Sequence, residues 1–168
     1  VQKMIECAQR CNRLLVEAVW TRWHPRFKRI TELVESGAIG DLASIESQFT
    51  FKSEMTENYR LDPALGGGAL LDIGCYQSNA WVALTGGAKD FEIDNVARNI
   101  GPTKIDLTTD VKATINGKVK VHSLSSFEID APQKFKILGS AGSLVTASGE
   151  SFSTWRETSS LQINGHIE

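Results

Sequence analysis

Residues 60–84, RLDPALGGGALLDIGCYQSNAWVAL, combine a glycine turn with two reactive side chains. The glycines at 66–68 can take positive φ and let another backbone or a ligand come close, and Pro63 fixes φ in the turn before them. Five side chains then recur at spacings of three and four, which predicts the packed face of a helix ending near Gly86 and Gly87. That face comprises Leu70, Ile73, Gln77, Trp81 and Leu84.

A second stripe on this helix carries Asp72, Tyr76, Asn79 and Ala83, rotated roughly 125° from the packed face. We expect this stripe to face a cleft or a partner. Tyr76 would exchange a proton with a substrate hydroxyl or carbonyl, and Asp72 would orient the substrate or the phenol. Because a free phenol has a pKa of about 10, its use as a base requires a nearby cation. The alternative is a structural pair that bonds backbone groups of a neighbouring loop.

Composition limits the class of protein. A length of 168 residues predicts one domain, or one domain with a fragment of another, and a net charge of −2 argues against a general nucleic-acid or anionic-membrane surface. No apolar stretch approaches the ~20 residues that span a bilayer, and the N-terminus lacks the order of a signal peptide. We therefore expect a cytoplasmic protein with neither nucleic-acid nor membrane partners.

The three cysteines support the same location, because an odd number without a CxxC motif favours reduced thiols. Cys7 and Cys11 are one helical turn apart and offer a possible metal pair. The scattered histidines instead favour buried structural thiols for Cys7, Cys11 and Cys75, so we predict no metal site.

In chain order, residues 1–12 predict a helix and residues 14–20 a short apolar strand, the pattern left where an alternating α/β domain ends. The sequence has no starting methionine, so we expect a segment of a longer chain. Arg22, between two tryptophans, is either a substrate-facing cation or a surface arginine covering an indole.

The remaining residues predict an α+β domain. Pro25 begins a helix that runs to about residue 36, where Gly37 suits a left-handed cap, and residues 43–52 alternate as a strand. Further strands are expected at residues 91–99, 107–115, 118–127, 133–138, 143–147, 152–157 and 161–167. Asn116-Gly117 predicts a type I′ hairpin. A G-x-G-x-x-G loop following a strand is absent, so the three glycines are weak evidence for phosphate binding.

Four segments in order resemble the C-terminal domain of the Gfo/Idh/MocA oxidoreductases: VEAVWTRWHP (16–25), ESGAIGDL (35–42), LGGGALLDIGCY (65–76) and ILGSAGSL (137–144). Within that family they are closest to the branch of dimeric dihydrodiol dehydrogenases and NADP-dependent sugar dehydrogenases. The resemblance implies a largely antiparallel open-faced sheet with helices on one face. Residues 1–20 would be a helix and strand remnant of the Rossmann domain, and residues 21–168 the substrate and dimerisation domain, truncated at its C-terminus.

The resemblance also implies roles for single residues. Tyr76 is the expected general acid/base, and Asp72 belongs to the same D-x-x-x-Y motif. A lysine of an upstream E-K-P motif, absent from this sequence, would supply the cation. Trp20 and Arg22 match the branch's WTR segment near the substrate mouth, and Arg60 and Trp155 are looser candidates for substrate contact.

The implied activity is hydride transfer between NADP or NAD and a carbinol carbon of a sugar, polyol or dihydrodiol. We expect this chain alone to be inactive, with the cofactor bound mainly by the N-terminal domain. We also expect a homodimer through the open face of the sheet. The alternatives are a non-catalytic binding module that keeps the fold and a purely structural oligomerisation module.

Overall fold

A computed structural model of the chain describes residues 1–52, 54, 58–147, 149, 151–153 and 160–168. The helices of these residues are α1 (Gln2–Arg10), α2 (Pro25–Glu35) and α3 (Cys75–Leu84). The strands are β1 (Leu42–Thr50), β2 (Phe91–Ile100), β3 (Asp106–Ile115), β4 (Val119–Ser126), β5 (Lys134–Gly139), β6 (Ser143–Thr146), β7 (Leu161–Ile163) and β8 (His166–Ile167). None of the helices in these ranges is both long and apolar enough to cross a membrane.

The strands form a single sheet in the order β2-β3-β4-β1-β5-β6-β7-β8. Strand β1 lies between β4 and β5, parallel to β4 and antiparallel to β5, and the other neighbouring pairs are antiparallel. The predicted α+β class and largely antiparallel sheet are therefore confirmed.

The alternation of β1 separates the two faces of the sheet. Ile45, Ser47 and Phe49 are buried on the helix side, whereas Glu46 is exposed and Gln48 half-buried on the other. Strand β4 continues the pattern, with Val119, Val121, Ser123 and Ser125 buried and Lys120 exposed. We call the side that carries Glu46 and Lys120 the open face, as the resemblance implied.

Helix α3 is fixed to the inner face by a close approach to β4. A Cβ at Gly74 would lie 2.9 Å from Leu70 Cδ1 and 3.0 Å from the Ser125 hydroxyl oxygen, so a larger residue would require these side chains to shift. One turn later, the fully buried Gln77 donates from Nε2 to Ser125 Oγ at 2.7 Å and to the Leu124 carbonyl at 3.3 Å. The small residue and the amide together set the height of the helix above the sheet.

The predicted turns are confirmed by their dihedral angles. Asn116 and Gly117 have φ of 52° and 67°, the two positive values that the predicted type I′ turn requires, although the ladder pairs Ile115 with Val119 and the connection therefore has three residues. Gly37 has φ of 75° immediately after α2, where the left-handed cap was expected.

The predicted strand at residues 14–20 is wrong. Residues 13–18 are exposed and belong to no strand, and Trp20 begins a short 3-10 turn (Trp20–Trp23). An apolar run becomes a strand only where another strand pairs with its backbone, and the described residues place none beside it. The predicted strand at 152–157 is also wrong where it is described, because Phe152 and Ser153 form bends; residues 154–159 lie outside the described residues.

The buried thiols predicted for α1 are wrong as well. Cys7 and Cys11 are exposed, since α1 buries none of its residues, and only Cys75 is half-buried.

Another correction concerns Leu70, which is 39% exposed although the other members of the predicted packed face are buried. Residues Leu70–Gly74 form one turn of π-helix before α3, and this wider turn rotates Leu70 away from the core.

Candidate active site

The three glycines close a tight loop in front of the π-turn. Gly66 and Gly68 have φ of 77° and 120°, and the N–H groups of Gly67 and Gly68 donate to the carbonyls of Asp62 and Arg60, both at 2.9 Å. A Cβ at Gly67 would clash with the Arg60 carbonyl. The glycines therefore serve close backbone packing, and these N–H groups are already used within the loop instead of pointing at a phosphate.

Asp106 holds the start of the π-turn from the neighbouring strand β3. Its Oδ2 accepts from the Leu70 N–H and from the Thr109 hydroxyl, both at 2.7 Å. A Cβ at Gly68 would clash with the same carboxylate. One side chain distant in sequence thus caps the helix that carries Asp72 and Tyr76.

Asp72 is held by two neighbours from the loop. Arg60 donates from Nε to Oδ2 at 2.6 Å, and the Tyr59 hydroxyl donates to Oδ1 at 3.3 Å. The Arg60 guanidinium also lies 4.7 Å from the centre of the Tyr59 ring. The hydrogen bond to Asp72 raises the pKa of Arg60, so this cation stays charged. Arg60, predicted to contact substrate, is engaged with Asp72.

Tyr76 is half-buried, and its ring packs against Phe49 with centroids 5.9 Å apart. Its hydroxyl makes no hydrogen bond within the described residues and is not one of their buried polar atoms that lack a partner, so it is accessible. Burial raises the pKa of the phenol, and the neighbouring Cys75 and Asp72 raise it further, while Arg60 opposes them. The phenol is therefore protonated at neutral pH.

A small cavity of about 10 Å³ adjoins Tyr76, enough for one water molecule. Its lining comes from the 3-10 turn, α2, α3, β5 and the bend near residue 152. The lining residues are Trp20, Thr21, His24, Arg26, Phe27, Ile30, Tyr76, Ala80, Phe135, Ser151 and Phe152. Aromatic rings predominate among the larger side chains.

The predicted site residues are brought together only in part. Trp20 lines the cavity with Tyr76. Arg22, on the same 3-10 turn, is exposed and does not line it. Trp155 lies outside the described residues. Asp72 and Tyr76 share a half-buried stripe, as the helical spacing predicted.

His24 is a cavity residue that the sequence analysis missed. Its Nδ1 accepts from the Arg26 N–H at 3.2 Å and so caps α2, and its ring stands edge-on to Trp20 at 5.8 Å. Burial, followed by the charge of Arg26, lowers the pKa of His24, which is neutral at pH 7. The signal was its position before Pro25 at a helix start, although histidine is not a favoured cap.

Within the described ranges, no three His, Cys, Asp or Glu residues are grouped so that they could hold a metal ion. The loop of glycines offers no cradle for a cofactor phosphate either, because its N–H groups are satisfied internally. What the arrangement provides is an accessible, protonated phenol beside an oriented carboxylate.

Comparison with known proteins agrees with the fold. The sequence profile of the GFO/IDH/MocA C-terminal domain matches residues 27–145. The trans-1,2-dihydrobenzene-1,2-diol dehydrogenase of Xenopus laevis is 32% identical over 143 residues, which make up 84% of this chain and 42% of that enzyme. The chain therefore spans less than half the length of this relative.

Two solved structures share the fold at low sequence identity. The aldose-aldose oxidoreductase from Caulobacter crescentus, complexed with glycerol, has a TM-score of 0.85 and 20% identity, covering 99% of this chain and 50% of that one. A 3-ketoreductase from Actinomadura kijaniata, in complex with NADP and TDP-benzene, has a TM-score of 0.82 and 23% identity, covering 99% of this chain and 51% of that one.

Proposed function

Because the chain belongs to the GFO/IDH/MocA family, as its C-terminal domain, we propose that it forms the substrate half of an NAD(P)-dependent oxidoreductase. The proposed reaction moves a hydride between nicotinamide and a carbinol carbon of a sugar, polyol or dihydrodiol. The cofactor supplies the hydride, and the residues of this chain bind the substrate and move its hydroxyl proton.

The accessible Tyr76 hydroxyl is the observation that carries the proposal. A buried tyrosine hydroxyl usually has a hydrogen-bond partner, so the structural alternative predicts a hydroxyl bonded to backbone. The Tyr76 hydroxyl has no partner within the described residues, and Tyr76 lines the same cavity as Trp20. A substrate oxygen could therefore take the position of the single water for which the cavity has room.

In this chain by itself, the protonation state of Tyr76 favours one direction of the proposed reaction, the reduction of a carbonyl. Since its pKa is raised, the phenol is a proton donor at neutral pH and suits the reduction of a carbonyl. Oxidation requires the phenolate, which only a nearby cation would make available. Arg60 is positive and close, but its Nε is bonded to Asp72. We place the activating cation on the upstream lysine that the family resemblance implies.

The proposed cofactor-binding region is separate from the proposed substrate-binding region. The residues described here offer no phosphate cradle, so we assign NADP or NAD mainly to the family's N-terminal Rossmann domain. Trp20 is proposed as an apolar wall for the substrate, together with the aromatic side chains around Tyr76. The division at residue 20 between a Rossmann remnant and the substrate domain remains a prediction.

The test uses the parent protein with its nucleotide domain, assayed for NADPH oxidation with aldoses and for NADP reduction with polyols and dihydrodiols. Tyr76→Phe should lower kcat by about 10²–10⁴-fold, the usual contribution of a general acid or base. Tyr59→Phe, which removes a hydroxyl from the same network, is the matched control and should lose far less. Equal losses in the two variants would refute the role of Tyr76.

A polypeptide of these 168 residues alone should show no turnover, because it spans 42% of the Xenopus laevis relative and contains no E-K-P lysine. NADPH consumption by the purified chain would contradict this. A parent protein that binds cofactor and sugar but does not transfer hydride would support the non-catalytic alternative.

We further propose a cytoplasmic homodimer joined through the open face. A groove of about 470 Å³ crosses this face, lined by Glu46, His122, Lys134 and Lys136 among others. The groove places the acidic Glu46 beside the basic Lys134 and Lys136, so two copies could pair opposite charges across a self-complementary contact. A monomeric mass by light scattering would count against the dimer, and membrane sedimentation against the location.

A further inference from the structure

We propose that Arg60 is a positioning residue for the proton-transfer pair: it fixes Asp72 beside Tyr76 and offsets the carboxylate charge that the phenol experiences. This inference rests on the proposed function of Tyr76. It assigns to Arg60 a role different from the substrate contact expected from the sequence.

Arg60 is held at both its backbone and its side chain. Its carbonyl accepts from the Gly68 N–H at 2.9 Å, and its own N–H donates to Asn58 Oδ1 at 3.0 Å. Its guanidinium donates to Asp72 at 2.6 Å and lies over the Tyr59 ring. The backbone of Arg60 is thus fixed within the loop, and its guanidinium joins that loop to the helix that the loop introduces.

The charges of Asp72 and Arg60 act on the Tyr76 phenol in opposite senses. The Asp72 side chain is only 14% exposed, so water screens its charge poorly. Asp72 raises the pKa of Tyr76, and Arg60 lowers it. With Arg60 in place, the phenol faces a paired carboxylate and guanidinium instead of a bare negative charge.

Both carboxylate oxygens of Asp72 accept hydrogen bonds. Oδ2 accepts from Arg60 and Oδ1 from Tyr59. A carboxylate held in this way has a fixed direction and little freedom to act as a base itself. Its part is to orient, and Arg60 sets that orientation.

The experiment follows the titration of Tyr76 itself and needs no substrate. The chain contains two tyrosines, so labelling with tyrosine carrying ¹³C at Cζ gives two resonances, and Tyr59→Phe assigns them. The titration midpoint of Tyr76 is compared in the unmodified chain, Arg60→Gln, Arg60→Lys and Arg29→Gln. The last is the matched control, because Arg29 forms a comparable ion pair with Glu168 at the surface.

Arg60→Gln should move the Tyr76 midpoint to higher pH, because the charge of Asp72 is no longer offset. Arg60→Lys should move it less, and Arg29→Gln should leave it unchanged. A merely structural role predicts the opposite direction. Loosening of the loop would admit water, relieve the burial that raises the pKa, and lower the midpoint. An unchanged or lowered midpoint in Arg60→Gln would overturn the proposal.

Asp72→Asn provides a second variant if Arg60→Gln does not fold. It removes the charge that Arg60 offsets and should lower the Tyr76 midpoint, and no change would again overturn the proposal. The measurement also separates this inference from the proposed function. If the midpoints respond as expected and the parent protein shows no hydride transfer, the proposed function fails while the role of Arg60 stands.

Discussion

Replacing Asp106 by alanine tests whether one distant carboxylate holds the start of the helix that carries Asp72 and Tyr76. The change removes the acceptor of the Leu70 N–H and of the Thr109 hydroxyl, both bonded at 2.7 Å. Hydrogen bonds to a charged group contribute about 1.5–3 kcal/mol each when buried, and loss of a helix cap costs about 1 kcal/mol. Because Asp106 is half-buried, we expect a total loss of about 2–3 kcal/mol.

The assay is thermal unfolding followed by circular dichroism. For a domain of this size, each kcal/mol shifts Tm by roughly 2–4 °C, so Asp106→Ala should lower Tm by roughly 4–12 °C. Asp94→Ala is the matched control. Its carboxylate also accepts from a hydroxyl, that of Thr114 at 2.9 Å, but no backbone N–H at a helix start depends on it. A loss in Asp106→Ala no larger than that in Asp94→Ala would refute the reasoning.

Two further predictions concern stability. His24 has a lowered pKa in the folded chain, so its contribution to folding stability is present above the unfolded pKa of about 6.5 and is lost as pH falls below that value. His24→Asn keeps a capping acceptor for the Arg26 N–H and should flatten the pH dependence of Tm between neutral and acidic buffers. An unchanged slope of Tm against pH would contradict this. Gly139→Ala should cost about 1–3 kcal/mol, because its Cβ would clash with the Ile39 carbonyl. In the control Gly117→Ala, the added Cβ meets no atom, so the change should cost only the backbone strain of its positive φ, about 1–2 kcal/mol. Urea unfolding measures the loss of stability in both variants. A smaller loss at Gly139 than at Gly117 would show that the backbone at Gly139 shifts to make room.

Local patterns in the sequence predicted most of the fold. The alternation in β1 and the Asn116-Gly117 turn each have a short-range cause, since burial on one face and positive φ are set by neighbouring residues. The stripe of Asp72 and Tyr76 also follows from spacing along one helix. These features need no knowledge of what lies opposite.

The features that were missed depend on residues far away in sequence. An apolar run at 14–20 does not become a strand, because no strand among the described residues pairs with it. The π-turn that exposes Leu70 starts at an N–H capped by Asp106, which spacing within the helix cannot reveal. The pairing of Arg60 with Asp72 likewise depends on how the glycine loop folds back, so the sequence did not indicate this ion pair.

The central place of β1 has a consequence for how the chain assembles. Its parallel neighbour β4 begins at Val119 and its antiparallel neighbour β5 at Lys134, so both of its edges wait for segments made much later. Closing such long loops costs entropy before any ladder is gained, which slows acquisition of the native state. During translation, a strand with alternating apolar residues would therefore stay unpaired while residues 51–118 emerge from the ribosome, an interval in which chaperones would have most to protect.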